Sequence, residues 1–107
     1  MQLHPLKLVT IITEQIVREQ IVKKIIELGA AGCTWHDAQG IGSRGARSDE
    51  TGDTNVQIEI ICAPATAEAI LTFISRNYFE NYACIAWQTD VTVVRGARYA
   101  AGKHNDL

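Results

Sequence analysis

No stretch of the chain approaches the roughly 18 uninterrupted apolar residues of a membrane-spanning helix. The opening residues MQLHPLKLVT also lack the charged segment before an apolar run that marks a secretory signal. These two absences set the expectation of a soluble, cytoplasmic protein. Positive charge is scarce as well: 10 Lys plus Arg stand against 12 Asp plus Glu, a net charge of -2. That balance excludes a protein that wraps nucleic acid in positive potential. An apolar content of 47% excludes a disordered acidic solubiliser. Cysteine occurs three times, as Cys33, Cys62 and Cys84, and never as a CxxC pair. A redox dithiol and a zinc knuckle are therefore unsupported, and each cysteine, among apolar neighbours, reads as a small buried hydrophobe. His4, His36 and His104 lack the spacing of a metal cluster, and no catalytic signature is present.

What remains is one domain of 107 residues with room for one modest core. A domain of this size buries roughly 65% of its unfolded surface, so self-association would help it. Leu6 to Thr13 (LKLVTIIT) is β-branched and apolar and predicts a strand covered on both faces. From Glu14 the period changes. Val17, Ile21, Ile25 and Leu28 recur at helical spacing, broadened by Ile16, Val22 and Ile26, and Gly29 suits a left-handed stop. CTWHDA, after Gly32, reads as a second strand. Val56 to Ala63 alternates as a half-buried strand, and Pro64 ends it. Thr66 is a candidate cap for a second helix with the stripe Ala67, Ile70, Leu71, Ile74 and Tyr78. Ile85 to Val94 is the last regular piece expected. Beyond it lies a tail, Arg95 to Leu107, with a flexible end from about residue 100.

Gly40 to Asn55 (GIGSRGARSDETGDTN) differs from the rest. It holds four of the eight glycines and one large apolar residue, Ile41, and no period survives in it. Long loops of this kind are functional or disordered. The order is strand, helix, strand, long loop, strand, helix, strand. That is an α+β, ferredoxin-like βαββαβ plaited sheet with two helices on one face. The first strand has no polar side, so the other sheet face needs burying, and an oligomer is expected.

This fold hosts many functions. An RNA-recognition module needs aromatic residues on its central strands, and LKLVTIIT and VQIEIICA have none. An acylphosphatase-type site needs a glycine-rich phosphate cradle after the first strand, where this chain has Thr13-Glu14-Gln15. Gly40-Ile41-Gly42-Ser43-Arg44-Gly45 fits G-x-G-x-x-G, but a dinucleotide fingerprint requires a helix at the third glycine and none follows. Glycine backbone can still approach a phosphate closely. Arg44 and Arg47, interleaved with Ser43 and Ser48, suit a phosphate ester. The alternative is a solvated loop in which Asp49, Glu50 and Asp53 neutralise both arginines. Arg95 and Arg98 form a second cationic pair, with surface solubility as their alternative.

The segment GCTWHDAQGIGSRGARS (Gly32 to Ser48), followed by QIEI (Gln57 to Ile60), resembles the PII signalling superfamily, in which a G-x-T strand runs into the mobile T-loop. IGSRGARS together with YFENYACIAWQTDVTVVRGARY (Tyr78 to Tyr99) resembles its SbtB-type branch, regulators of a cyanobacterial sodium-dependent bicarbonate transporter. The likeness covers Leu6 to Tyr99. It implies a homotrimer, cytoplasmic and recruited to the membrane through the transporter, with a T-loop at about 40–55. Cyclic AMP, AMP, ADP or ATP would sit in clefts between subunits as effectors, with no obligatory cofactor, no enzymatic activity and no nucleic-acid partner. On this resemblance Gly40, Gly42, Ser43, Arg44 and Arg47 match the phosphate-gripping base of the T-loop. Thr34, Glu59 and Ile61 match the adenine pocket, and Arg95, Gly96 and Arg98 match the closing stretch after the last strand. Asp49, Glu50 and Asp53 are candidate ligands for a divalent cation beside ATP, with solvated surface as the alternative. Two departures stand out. Asn81 to Trp87 lacks the glycines and phosphate-binding lysine of the nitrogen-sensing members, and YAAGKHNDL lacks the two-cysteine tail of some SbtB proteins. The competing reading is a trimeric CutA-like protein binding divalent metal. A phosphohydrolase is a third possibility, though no general base beside a nucleophile is evident.

Overall fold

The structure, a computed structural model, describes residues 1–42, 45–46 and 54–100, without the side chains of 45, 46 and 100. Strand β1 runs Leu3–Glu14, and a single 3-10 turn, Gln15–Val17, leads into α1, Arg18–Glu27. Next come β2 (Thr34–Ala38), β3 (Ile41–Gly42), β4 (Gly45–Ala46) and β5 (Asn55–Cys62). Helix α2 spans Pro64–Tyr78, β6 Cys84–Val94 and α3 Ala97–Ala100. Four strands form an antiparallel sheet in the order β2-β5-β1-β6. This is the expected ferredoxin-like plait.

Strand alternation decides which side is core. Val9, Ile11 and Thr13 of β1 register with Ile60, Ile58 and Val56 of β5, and all six are buried. Ile21 and Ile25 of α1 and Ala67, Ile70 and Ile74 of α2 close over them. Each fully buried aliphatic side chain contributes roughly 1.5–3 kcal/mol. Leu28 ends α1 and Gly29 follows at φ 117°, the left-handed stop that the sequence implied.

Four expectations need correction. Pro64 does not merely end β5: it occupies the first turn of α2, where its missing N–H is harmless, and Ala63 rather than Thr66 is the N-cap. The Gly40–Asn55 stretch is not wholly irregular, because β3 and β4 pair through Ile41–Ala46 and Gly42–Gly45. The chain also does not lose regular structure after Val94, since α3 forms and touches β1 and β5. Finally, Cys62 is buried as expected, but Cys33 and Cys84 are only half-buried.

Candidate functional site

The sheet face opposite the helices carries the sequence-predicted pocket residues. Register places Thr34 of β2 beside Glu59 of β5, Glu59 beside Thr10 of β1, and Thr10 beside Trp87 of β6. One row thus crosses all four strands. Thr10 is 3% exposed at its centre, while Trp87 at its edge is 41% exposed. Ile61 lies two residues from Glu59 on the same face, opposite Leu8. The neighbouring row is His36, Gln57, Ile12 and Ile85, and the Gln57 amide donates to Glu59 Oε2 at 3.4 Å. Alternation along VQIEIICA puts Gln57 on the face of Glu59 and Ile61, yet Gln57 is not among the sequence-predicted site residues.

The remaining candidates lie at the two ends of this face. Gly40 and Gly42 follow β2, whose last residue Ala38 pairs with Asn55, the register partner of Glu14. Ser43, Arg44 and Arg47, with Asp49, Glu50 and Asp53, lie outside the described residues. Arg95 follows Val94, which pairs with Leu3 at the far end of β1. The two ends are therefore separated by almost the full length of β1, about 35 Å at roughly 3.3 Å per residue. A single chain brings Thr34, Glu59 and Ile61 together. It does not bring Arg95 and Arg98 near Gly40 and Gly42.

The turn at the far end is tightly built. Arg95 is in the left-handed region at φ 64°, the one non-glycine residue there among those described. Gly96 is buried, and a Cβ on it would stand 2.5 Å from His4 Cβ and 2.9 Å from His4 Cγ. A left-handed non-glycine residue is strained backbone, and such strain concentrates at functional positions. The guanidinium-bearing residues Arg95 and Arg98 are both exposed. Arg98 N–H donates to Arg95 O at 3.4 Å and Tyr99 N–H to Gly96 O at 3.0 Å, which locks the turn into α3.

On the opposite face, Arg18 stacks on Trp35 with its guanidinium 5.0 Å from the ring centroid. This contact connects α1 to the edge strand β2, and the Arg18 Nε is buried without a hydrogen-bond partner among the described residues. Burial pushes the Cys62 thiol up to about 11 and also raises Cys33. Cys84 is raised mainly by burial, against a hydrogen bond with Thr13 that lowers it. Thiols held protonated in this way are poor nucleophiles. Among the described residues no three His, Cys, Asp or Glu side chains converge as a metal site. No described helix is long and apolar enough to cross a membrane.

The sequence matches the nitrogen regulatory protein P-II family over residues 6–98. The chain belongs to that family. It is also similar to a PII-like signalling protein from Thermus thermophilus, at 42% identity and a TM-score of 0.82, over 94% of this chain and all of that one. CPII from Thiomonas intermedia, in a structure bound to ADP, AMP and acetate, is 23% identical with a TM-score of 0.81, over 94% and 99% of the two chains. CPII bound to ADP, AMP and bicarbonate is 22% identical with a TM-score of 0.82, over 92% and 97%. At these identities CPII shares the fold.

Proposed function

We propose that this P-II family chain is a non-enzymatic adenine-nucleotide sensor of the SbtB type. It assembles as a homotrimer and binds cyclic AMP, AMP, ADP or ATP in its intersubunit clefts. Through its T-loop it controls a sodium-dependent bicarbonate transporter. The observation that carries this reading is the division of the candidate residues along one sheet face. Thr34, Glu59 and Ile61 sit together, but the arginines after β6 and the loop base after β2 lie about 35 Å apart at strand spacing. A ligand gripped from both ends needs the far end of one subunit against the near end of the next.

The exposed apolar residues of the same face support assembly. Ile85 is 56% and Trp87 41% exposed, beside half-buried Leu8 and Ile12. A second copy would cover them. That CPII, with the same fold, is seen with ADP and AMP supports the ligand class. In this arrangement Thr34, Glu59 and Ile61 face the adenine. Arg44, Arg47 and Ser43, backed by Gly40 and Gly42, meet the phosphate, and Arg95 and Arg98 of an adjacent subunit close over it. The carboxylates Asp49, Glu50 and Asp53 are positioned in sequence to hold a divalent cation beside ATP.

The test is isothermal titration of the purified chain with cyclic AMP, AMP, ADP, ATP and GTP, with its mass in solution determined alongside. Adenine-selective binding near one site per subunit of a trimer is expected. Absence of binding to any of them overturns the sensor reading and leaves a shared fold.

A further inference from the structure

Three consecutive residues, Thr13, Glu14 and Gln15, end β1 and open the following 3-10 turn. Each reaches away from its own segment. Thr13 Oγ1 donates to Ala83 O at 3.0 Å, and Ala83 N–H donates to Glu14 Oε2 at 2.7 Å, so both backbone groups of Ala83 are held. Ala83 is the residue before β6, in the connection from α2. Gln15 turns to the other side. Its side-chain amide donates to Asp37 Oδ1 at 2.5 Å and to Thr54 Oγ1 at 3.3 Å, and its backbone N–H donates to Thr54 O at 3.2 Å. Asp37 stands one residue from the end of β2, and Thr54 is the residue before β5. One amide therefore ties both roots of the 39–54 connection.

The local structure shows these contacts replacing ordinary ones. Glu14 occupies the N-cap position of the turn yet makes no capping hydrogen bond, because its carboxylate is engaged at Ala83. Thr13 is 1% exposed, so its hydroxyl needs a partner and finds one in the α2–β6 connection rather than in its own strand.

We propose that the Thr13-Glu14-Gln15 turn is a junction coupling the α2–β6 connection to both roots of the 39–54 connection, with Gln15 the positioning residue that transmits between them. Its use for nucleotide response rests on the sensor reading above. A displacement of the segment at Ala83 moves Thr13 and Glu14, which hold its backbone, and the adjoining Gln15 then moves Asp37 and Thr54 together. The coupling is reciprocal: whatever shifts Asp37 and Thr54 at the roots of the 39–54 connection is felt at Ala83 by the same free energy.

The test is hydrogen–deuterium exchange of the full chain without nucleotide, comparing wild type with Gln15→Ala, Gln15→Asn, Asp37→Ala, Asp37→Asn and the Gln15→Ala/Asp37→Ala pair. Loss of the clasp is expected to raise exchange at residues 54–56 by ~10-fold in Gln15→Ala. Asp37→Ala, which makes no direct contact with Thr54, is expected to raise the same amides. The double variant is expected to exceed neither single variant by much, and Asp37→Asn, which keeps an acceptor, is expected to restore protection. Gln15→Asn, too short to reach both roots, serves if Gln15→Ala fails to fold. An Asp37→Ala effect confined to residues 36–38, or fully additive effects, overturns the junction. A second arm adds saturating ADP. Wild type is expected to gain protection at 54–56, and Gln15→Ala to bind ADP without that gain. Binding with an identical response in both proteins overturns the link to nucleotide. If wild type binds no ADP, the sensor reading fails, while the first arm still decides whether Gln15 ties the two roots of the 39–54 connection together.

Discussion

Gly96 sits against His4 so closely that no side chain fits between them: an added Cβ would lie 2.5 Å from His4 Cβ. His4 lies on the open face of β1, opposite Val93 of β6. The close approach lets the chain leave β6, turn through Arg95 and start α3 against the same sheet. The glycine is required here by space rather than by backbone angle.

Gly96→Ala is accordingly expected to destabilise the protein by about 1–3 kcal/mol through overpacking, which thermal denaturation would read as a clear fall in Tm. His4→Ala should not relieve it, since the clashing Cβ remains, whereas His4→Gly in the Gly96→Ala background should. A Gly96→Ala protein melting with wild type would refute the packing account.

Arg95 separates stability from the proposed function. At φ 64° it adopts a conformation that penalises any residue with a Cβ by roughly 1–2 kcal/mol. Arg95→Gly removes that strain but loosens the unfolded chain, so a net gain of about 0.5–1 kcal/mol is expected. The same variant should weaken ADP binding by ~10-fold, because a charged hydrogen bond contributes about 1.5–3 kcal/mol. Arg95→Val should destabilise. If Arg95→Gly binds ADP as wild type does, Arg95 is outside the site.

Arg47 tests the other end of the proposed cleft. Arg47→Ala is expected to weaken AMP binding at least ~10-fold by the same hydrogen-bond magnitude, with the mass in solution unchanged. Calorimetry showing unchanged affinity would remove Arg47 from the phosphate site.

Alkaline pH probes the core. The Cys62 thiol is raised by burial from 9.0 to about 11, so the folded state favours the protonated form. Its contribution is full below pH 9, where the thiol is neutral in both states, and is lost as pH rises toward 11 and the unfolded chain ionises first. Two units correspond to roughly 2–3 kcal/mol. Stability in urea between pH 8 and 11 should fall more steeply for wild type than for Cys62→Ala. Parallel slopes would show that Cys62 is not the titrating group.

The local chemistry of the chain determined a good deal by itself. The period of two in VQIEIICA, the helical stripe from Val17 to Leu28 and the glycine after it follow from how side chains alternate and how a left-handed residue ends a helix. These identify β5, α1 and the core residues that the two elements bury. They also place Glu59 and Ile61 on one face, because a strand's alternation is intrinsic to its backbone. What the chain could not reveal alone are contacts set by register and by the crossing of distant segments. Thr34, Glu59, Thr10 and Trp87 share a row because three separate strand pairs align in one register. Pro64 reads as a terminator until the helix it opens is in place, and Arg95 is an ordinary cation until β6 must turn back over His4. Gln15 is one polar residue among many in the sequence. Tertiary structure makes it a clasp, because hydrogen bonds spanning 22 and 39 positions exist once the sheet has brought Asp37 and Thr54 to the end of β1.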